Sequence, residues 1–134
     1  IVTHCFQKQH GLFDDGGNLI PAAQAAIDRG VLLDVGHSNN DFSIEIAKSA
    51  IAQGVLPNTL STDLNRSNLN TVGGLATVMT KFVNLGLTLN QVVERVTNFP
   101  AAALKKANEF GGFKPGQLAD FTIFEWSDQP TTLT

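Results

Sequence analysis

Residues 31–37, Val-Leu-Leu-Asp-Val-Gly-His, are the stretch that decides the fold. The stretch is an apolar run that ends in polar residues and does not alternate between apolar and polar positions. Such runs are typical of parallel strands, because both faces of a parallel sheet are covered. Two similar runs occur: Ile1-Val2 leads into Thr3-His4, and Thr59-Leu60 leads into Ser61-Thr62-Asp63. Helix-like stretches separate the three runs, so the order predicts a parallel α/β sheet.

Local signals predict where these helices begin and end. Pro21 is a typical first helical residue, and Gly30 is a typical terminator. Either Asp41 or Ser43 can cap the next helix, which should end before Gly54. An apolar face at positions 75–82 predicts a helix that ends near residue 86. A capping box at residues 88–91 predicts another helix to about residue 96, and a short helix is expected over 100–107.

The C-terminal ends of parallel strands lie on one face of a sheet, where α/β proteins assemble their sites. His4, His37 and Asp63 each stand at the end of one predicted strand. We therefore expect these three side chains to converge on one cavity. Two imidazoles and a carboxylate indicate metal-assisted chemistry, because both groups are good ligands for zinc and similar divalent ions.

The order of these motifs resembles the amidohydrolase superfamily, especially its dihydroorotase-like and deacetylase branches. Threonine-histidine, glycine-histidine and threonine-aspartate pairs follow the sixth, seventh and eighth barrel strands of that family. Thr97-Asn98-Phe99-Pro100-Ala101 and residues 112–121, Gly-Phe-Lys-Pro-Gly-Gln-Leu-Ala-Asp-Phe, resemble the stretch that leads from the barrel into the family's small β domain. The resemblance covers nearly the whole chain.

The resemblance implies a TIM-type (β/α)8 metallohydrolase barrel. A complete barrel needs roughly 200 residues or more, and this chain has 134. We therefore expect a C-terminal fragment of a larger enzyme. Residues 1–110 would be a partial TIM barrel, namely the last three βα units with strands six to eight. Residues 111–134 would be a turn and the C-terminal strand of the small β domain, with the strand at Phe121–Trp126.

Roles for three residues follow from the resemblance. His4 would bind a metal, and Asp63 would be the catalytic general base and a possible second metal ligand. His37 would contact the substrate. The cofactor would be a divalent metal, zinc in the first place, with one or two ions in the complete enzyme. Binding by this chain alone should be weak or absent, because the family's first-strand histidine pair and bridging residue have no counterpart here.

Two positions depart from the family pattern. Ser38 stands where relatives have a second glycine, and Asn65 stands where close relatives often have a histidine. Both positions follow predicted site residues. Because of these two differences, the sequence does not identify which acyl group or ring the enzyme binds.

Other polar residues are interpreted as structural. Cys5 is expected to be a small buried hydrophobe, and Asp34 a hydrogen-bonded scaffold residue. His10 is interpreted as a solvated loop histidine. Asp14-Asp15 lacks the regular spacing of a calcium loop.

Composition excludes several classes of partner. The net charge is -3 and no Lys/Arg cluster occurs, so nucleic-acid binding is not expected. No apolar run approaches the ~18 residues of a membrane span. The lone cysteine cannot form an internal disulfide, which fits a cytoplasmic location.

These residues together favour the interpretation that the chain is part of a metal-dependent hydrolase. Such an enzyme would cleave amide, cyclic amide or acyl bonds of small molecules, and we expect the isolated chain to be inactive or nearly so. The alternative is a non-catalytic truncated fragment that acts only as a folding or association module. A third interpretation is an unrelated small α/β ligand-binding domain. Three βα units leave two open sheet edges, so the expected partners are the missing N-terminal half or further copies of the chain.

Overall fold

The computed structural model describes residues 1–9, 11–127 and 129. None of the helices in this part of the chain is long and apolar enough to cross a bilayer. The described helices are α1 (Pro21–Asp28), α2 (Ile44–Ala52), α3 (Leu69–Val72), α4 (Leu75–Asn84), α5 (Leu89–Val96) and α6 (Asn98–Ala103).

Three extended segments pair in parallel, as the sequence predicts. Val2 pairs with Leu33, and Asp34 pairs with Thr59. The N–H of Asp34 donates to the carbonyl of Val2 at 2.8 Å, and the N–H of Val35 donates to the carbonyl of Thr59 at 3.1 Å. The segment at 31–38 therefore lies between the other two. The described residues hold isolated bridges rather than full strands, so the pairing is short.

Capping signals place the helices correctly. α1 begins at Pro21, as predicted. Ser43, not Asp41, is the N-cap of α2, because its hydroxyl accepts the N–H of Ile46 at 3.3 Å. A complete capping box between Thr88 and Gln91 begins α5.

Two helical segments differ from the prediction. α6 covers Asn98–Ala103 instead of residues 100–107. It ends early because Lys105 adopts a left-handed φ of +60°, and the N–H of Lys106 donates back to the carbonyl of Ala101 at 2.7 Å. Such a reversal is a common way to end a helix. The one-turn helix α3 was not predicted, because its surroundings are rich in polar residues and asparagine.

The core forms where the central segment meets the helices. Val35 and Leu60 are 0% and 4% exposed and belong to the same apolar cluster as Val78 of α4 and Val92 of α5. We expected Val2, Leu32, Val35 and Leu60 to project partly into a barrel that the chain cannot close. For Val35 and Leu60 that expectation was wrong, because their side chains pack in this core, whereas Val2 is 37% exposed and Leu32 is half-buried.

The C-terminal residues carry large exposed apolar side chains. The predicted turn forms, because the N–H of Gln117 donates to the carbonyl of Lys114 at 3.1 Å. Residues 121–127 contain no assigned strand, so the terminal strand at Phe121–Trp126 stays unconfirmed. Phe121 is 60% exposed and Ile123 is 87% exposed. The last residues of the predicted second domain, 130–134, lie outside the described part.

Candidate metal centre

One imidazole and two carboxylates come together at the polar ends of the extended segments. Each of His4, Asp41 and Asp63 offers a ligand atom, and these three atoms lie within 4.8 Å of one another. His4 and Asp41 are half-buried, and Asp63 is exposed. Nitrogen and oxygen donors of this kind fit zinc and other divalent transition metals. The structure thus brings together His4 and Asp63, the two residues that the sequence predicts as metal ligands.

A backbone carbonyl fixes the tautomer of His4. The Nδ1 atom lies 2.7 Å from the carbonyl oxygen of Gly36. Because a carbonyl only accepts hydrogen bonds, Nδ1 carries the hydrogen and the neutral ring keeps its lone pair on Nε2. Metal-binding histidines usually have such a partner on their second nitrogen. The arrangement therefore prepares His4 to act as a ligand through Nε2.

Gly36 makes this contact possible. Its φ is +48°, a left-handed conformation that favours glycine. A Cβ atom at this position would lie 2.4 Å from Oγ1 of Thr3 and 2.8 Å from Nδ1 of His4. The glycine of the second motif thus admits the imidazole of the first motif.

Asn68 fixes the loop that carries Asp63. Asp63 has a φ of +49°, which is unusual for a residue other than glycine. Its carbonyl accepts a hydrogen bond from Nδ2 of Asn68 at 2.9 Å, and Oδ1 of Asn68 accepts the N–H of Asn65 at 2.8 Å. Asn68 is only 1% exposed. This buried amide therefore holds the loop around the carboxylate.

Asp41 is the candidate ligand that the sequence prediction missed. It was considered only as a helix cap, a role that belongs to Ser43. Its one sequence signal is its place in the loop after the glycine-histidine motif, at the end of the central segment. A search for acidic residues in every loop that follows a predicted strand would have included it.

His37 occupies an adjoining cleft. Its ring is 6% exposed and stacks on Phe42, with 4.4 Å between ring centroids and 22° between the planes. Its Nδ1–H donates to the carbonyl of Ser38 at 2.7 Å. The Nζ of Lys81 lies 3.2 Å from Nε2, the remaining acceptor of the ring. The imidazole is thus held on both nitrogens and on one face.

The cleft that contains His37 does not include the two metal-ligand candidates of the prediction. It has a volume of about 690 Å³, and neither His4 nor Asp63 lines it. We expected one common cavity for His4, His37 and Asp63, and the structure brings together only the first and the last. The left-handed φ of +45° at Ser38 accompanies this divergence. The cleft is lined by Lys8, His37, Ser38, Asn39, Phe42, Ser43, Ile44, Glu45, Lys48, Thr71, Lys81, Asn84 and Leu85.

The surroundings of His37 favour its neutral form. Burial lowers the pKa of the imidazole most, and the positive charge of Lys81 lowers it further. The hydrogen bond to Ser38 acts in the opposite direction. Burial also lowers the pKa of Lys81. A neutral imidazole that accepts a hydrogen bond from an ammonium group is therefore the favoured arrangement.

Asp34 and Cys5 are structural, as predicted. Asp34, on the central segment, accepts hydrogen bonds from three hydroxyl groups on the two flanking extended segments. Cys5 is 1% exposed, and burial raises the pKa of its thiol, with the charge of Asp34 adding to the rise. Asp14 accepts the N–H of Asn18 at 2.8 Å within a local turn. His10 lies outside the described residues.

Sequence comparison finds relatives among bacterial deacetylases. The chain is 38% identical over 131 residues to a deacetylase of Brucella anthropi. The alignment covers 96% of this chain and 32% of the deacetylase. A deacetylase of Agrobacterium fabrum gives the same identity and coverage. A deacetylase of Enterococcus faecalis is 34% identical over 139 residues, 37% of its length. The chain thus spans about a third of these relatives. No family model matches it.

Structure comparison gives a consistent result. An adenine deaminase superposes with a TM-score of 0.83 and 31% identity, over 88% of this chain and 33% of the deaminase chain. A dihydroorotase superposes with a TM-score of 0.67 and 35% identity, over 78% of this chain and 29% of the dihydroorotase chain. Both are members of the amidohydrolase superfamily. The chain belongs to the amidohydrolase superfamily, with its relatives among the deacetylases and dihydroorotases.

Proposed function

We propose that this chain is part of a metal-dependent amidohydrolase that hydrolyses an amide, cyclic amide or acyl bond of a small molecule. The observation that carries the proposal is the grouping of His4, Asp41 and Asp63, whose ligand atoms lie within 4.8 Å of one another. The deacetylase, adenine deaminase and dihydroorotase relatives support the same reaction class.

The proposed fold is the last three βα units of a TIM-type barrel. The three parallel segments, their intervening helices and the superposition on about a third of two amidohydrolases support it. In such a barrel, sites form at the C-terminal ends of the strands. His4 and Asp63 follow the first and third extended segments at this edge. The terminal strand of a small β domain remains part of the proposal.

His4 and Asp63 would hold the metal, with Asp41 as a third ligand. A bound divalent ion, zinc in our proposal, would polarise the scissile carbonyl and the attacking water as a Lewis acid. Asp63 would take the proton of that water on a carboxylate oxygen and deliver it to the leaving nitrogen. The exposure of Asp63 leaves its carboxylate accessible to water and substrate.

His37 would contact the substrate from the adjoining cleft. The neutral ring is held in one orientation by Phe42, Ser38 and Lys81. The cleft combines apolar walls, including Phe42 and Leu85, with the polar group at His37. Such a combination suits a small organic substrate with one polar anchor. We propose that substrate bound here extends towards the carboxylate of Asp63.

The metal site of this chain alone would be weak. Catalytic zinc normally has three protein ligands and a water molecule, and one of the three candidates here, Asp63, is exposed. We propose that the isolated chain has little or no activity, and that a missing N-terminal part or further copies complete the site. The proposed location is the cytoplasm, and neither nucleic acid nor membrane is a proposed partner.

Calorimetric titration of the 134-residue chain with zinc tests the metal site. We expect weak binding with about one ion per chain. His4→Ala and Asp41→Asn should each weaken it at least tenfold. The matched control is Asp120→Asn, which removes an exposed carboxylate outside the site. Equal affinity in His4→Ala and wild type would refute the site, and tightly held zinc would mean that the ligand set is larger than proposed.

Activity is best tested in a chimera. The chain would replace the matching segment of the Brucella anthropi deacetylase, to which 96% of the chain aligns. We expect the chimera to hydrolyse acylated or cyclic amide substrates, and we expect Asp63→Asn to lose at least about 100-fold in kcat. The isolated chain serves as the inactive reference. Full activity of the Asp63→Asn chimera would exclude Asp63 as the base.

The second candidate is a non-catalytic association module. Exposed apolar residues favour it, including Phe113 at 91% exposure and Ile123 at 87%. Burial of one such side chain contributes roughly 1.5–3 kcal/mol. Sedimentation at micromolar concentration distinguishes the candidates when combined with zinc titration. Self-association without zinc binding would favour this module over the hydrolase.

A further inference from the structure

Asp34 joins the three extended segments through its carboxylate. Oδ2 accepts hydrogen bonds from Oγ1 of Thr3 at 2.8 Å and from Oγ of Ser61 at 2.7 Å. Oδ1 accepts a hydrogen bond from Oγ1 of Thr59 at 2.6 Å. Hydrogen bonds to an ionised acceptor are about twice as strong as neutral ones. The carboxylate therefore fixes the relative positions of these three hydroxyl-bearing residues.

Two of these hydroxyl groups connect Asp34 to the imidazole of His4. The first connection is direct along the chain, because Thr3 immediately precedes His4. His4 adopts a left-handed φ of +57°, so its backbone needs support from its surroundings. The hydrogen bond from Thr3 to Asp34 holds the backbone on the N-terminal side of that residue.

The second connection runs through Ser61 and Gly36. The hydroxyl of Ser61 donates to Asp34 and accepts the N–H of Gly36 at 3.1 Å. The backbone carbonyl of Ser61 accepts the N–H of His37 at 3.0 Å. That N–H belongs to the same peptide unit as the Gly36 carbonyl. The Gly36 carbonyl accepts the Nδ1–H of His4 and is thus held on both sides.

We infer that Asp34 is a positioning residue for His4. Through Thr3 on one side and through Ser61 and Gly36 on the other, it keeps the Nδ1–H of His4 on the Gly36 carbonyl and leaves the Nε2 lone pair available as a ligand. Asp34 itself does not belong to the group formed by His4, Asp41 and Asp63. The part of the inference that concerns the metal rests on the proposed function.

Asp34→Asn is the obvious test, but it removes a carboxylate that joins three segments and can prevent folding. Thr3→Val and Thr59→Val form a better matched pair. Each removes one hydroxyl that donates to Asp34, with nearly unchanged side-chain shape. Of these two threonines, only Thr3 is linked to His4. Ser61→Ala should act like Thr3→Val, and Ser61→Thr should restore the wild-type behaviour because it keeps a hydroxyl.

Nitrogen-15 NMR of the histidine-labelled, metal-free chain reports the tautomer directly. We expect the wild type and Thr59→Val to hold His4 with hydrogen on Nδ1. Thr3→Val should show a mixture of both tautomers. Zinc titration should then show a 10- to 100-fold weaker affinity in Thr3→Val, the range found for residues that orient metal ligands. Thr59→Val should bind zinc as the wild type does.

The two readouts separate the inference from the proposed function. An unchanged His4 tautomer in Thr3→Val, or equal changes in Thr3→Val and Thr59→Val, would overturn the positioning role whatever the zinc titration shows. A tautomer change specific to Thr3→Val supports it. If the wild-type chain takes up no zinc, the isolated chain holds no metal site of its own, while the positioning of His4 stands.

Discussion

The Nζ of Lys81 lies 3.2 Å from Nε2 of His37 and joins α4 to the end of the central extended segment. This contact is only favourable while the imidazole is neutral, because a protonated ring has no acceptor for an ammonium donor. Burial and the charge of Lys81 both lower the pKa of His37. The pair therefore couples the protonation of His37 to the stability of the cleft.

This coupling predicts how stability depends on pH. The pKa of His37 in the folded chain lies below its ordinary value of 6.5, so the unfolded chain binds more protons in the interval between the two values. Stability contributed by neutral His37 is therefore fully present above pH 6.5 and is lost as the pH falls through the folded pKa. Chemical unfolding from pH 8 to 5 should show a steeper loss in wild type than in His37→Gln.

Lys81→Met separates the two causes that lower the pKa of His37, namely burial and the charge of Lys81. Removal of the ammonium should move the pKa of His37 back towards 6.5, but only in part, because burial is the larger cause. Lys114→Met is the matched control, since Lys114 is exposed and does not line the cleft. NMR titration of the imidazole measures the value. An identical pKa in Lys81→Met and wild type would contradict the assigned role of the lysine.

A Gly36→Ala substitution should be much more harmful than Gly30→Ala. Both glycines have left-handed φ angles, +48° and +84°, which cost about 1–2 kcal/mol for other residues. A Cβ at Gly30 would meet nothing within 4 Å, whereas one at Gly36 would strike Thr3 and His4. Overpacking adds about 1–3 kcal/mol. Denaturant unfolding measures the stability of both variants. An equal loss of stability in Gly36→Ala and Gly30→Ala would mean that the contact of Gly36 with His4 is not tight.

Asn68→Ala should destabilise the loop of Asp63. The substitution leaves the carbonyl of Asp63 and the N–H of Asn65 without their side-chain partner, at a cost of about 1–3 kcal/mol. Ser67→Ala is the control. Ser67 is exposed, and although its hydroxyl donates to Oδ1 of Asn65, the backbone N–H of Ser67 keeps a hydrogen bond to the same atom, so the loss should stay within about 0.5 kcal/mol. Hydrogen exchange at residues 63–68 should accelerate only in Asn68→Ala. Equal exchange in both variants would remove Asn68 from this role.

The thiol of Cys5 should be inert in the folded chain. Burial raises its pKa well above the ordinary range, so little thiolate is available to react. A thiol reagent at pH 8 should label the chain slowly without denaturant and rapidly after unfolding. The labelling rate then reports the opening of the core. Fast stoichiometric labelling of the native chain would show that the core around Cys5 is open.

The sequence by itself determined the parallel order of the extended segments and most helix boundaries. Proline at the start of α1 and the capping box of α5 act over three or four residues, so these signals can be recognised without a structure. For α2 the sequence offered Asp41 or Ser43 as the cap, and the structure shows that it is Ser43. The end of α6 was less predictable, because it depends on a left-handed turn at Lys105.

The pairing of His4 with Asp63 also follows from sequence, because parallel strands present their C-terminal ends at one edge. The positions of Asp41 and Lys81 do not. Asp41 looks like one of two possible helix caps, and Lys81 looks like a solvated residue on an amphipathic helix. No local sequence pattern predicts that Asp41 lies near His4 or that Lys81 contacts His37.

Only the tertiary structure decided that His37 and His4 lie in different surroundings. The direction of each ring depends on backbone torsions at Gly36 and Ser38, both in the left-handed region, and on the packing of Phe42 against the His37 ring. Torsions of this kind persist only when surrounding contacts hold them. These contacts come from residues far apart in the chain, so the motif supplies the imidazole and the fold sets its direction.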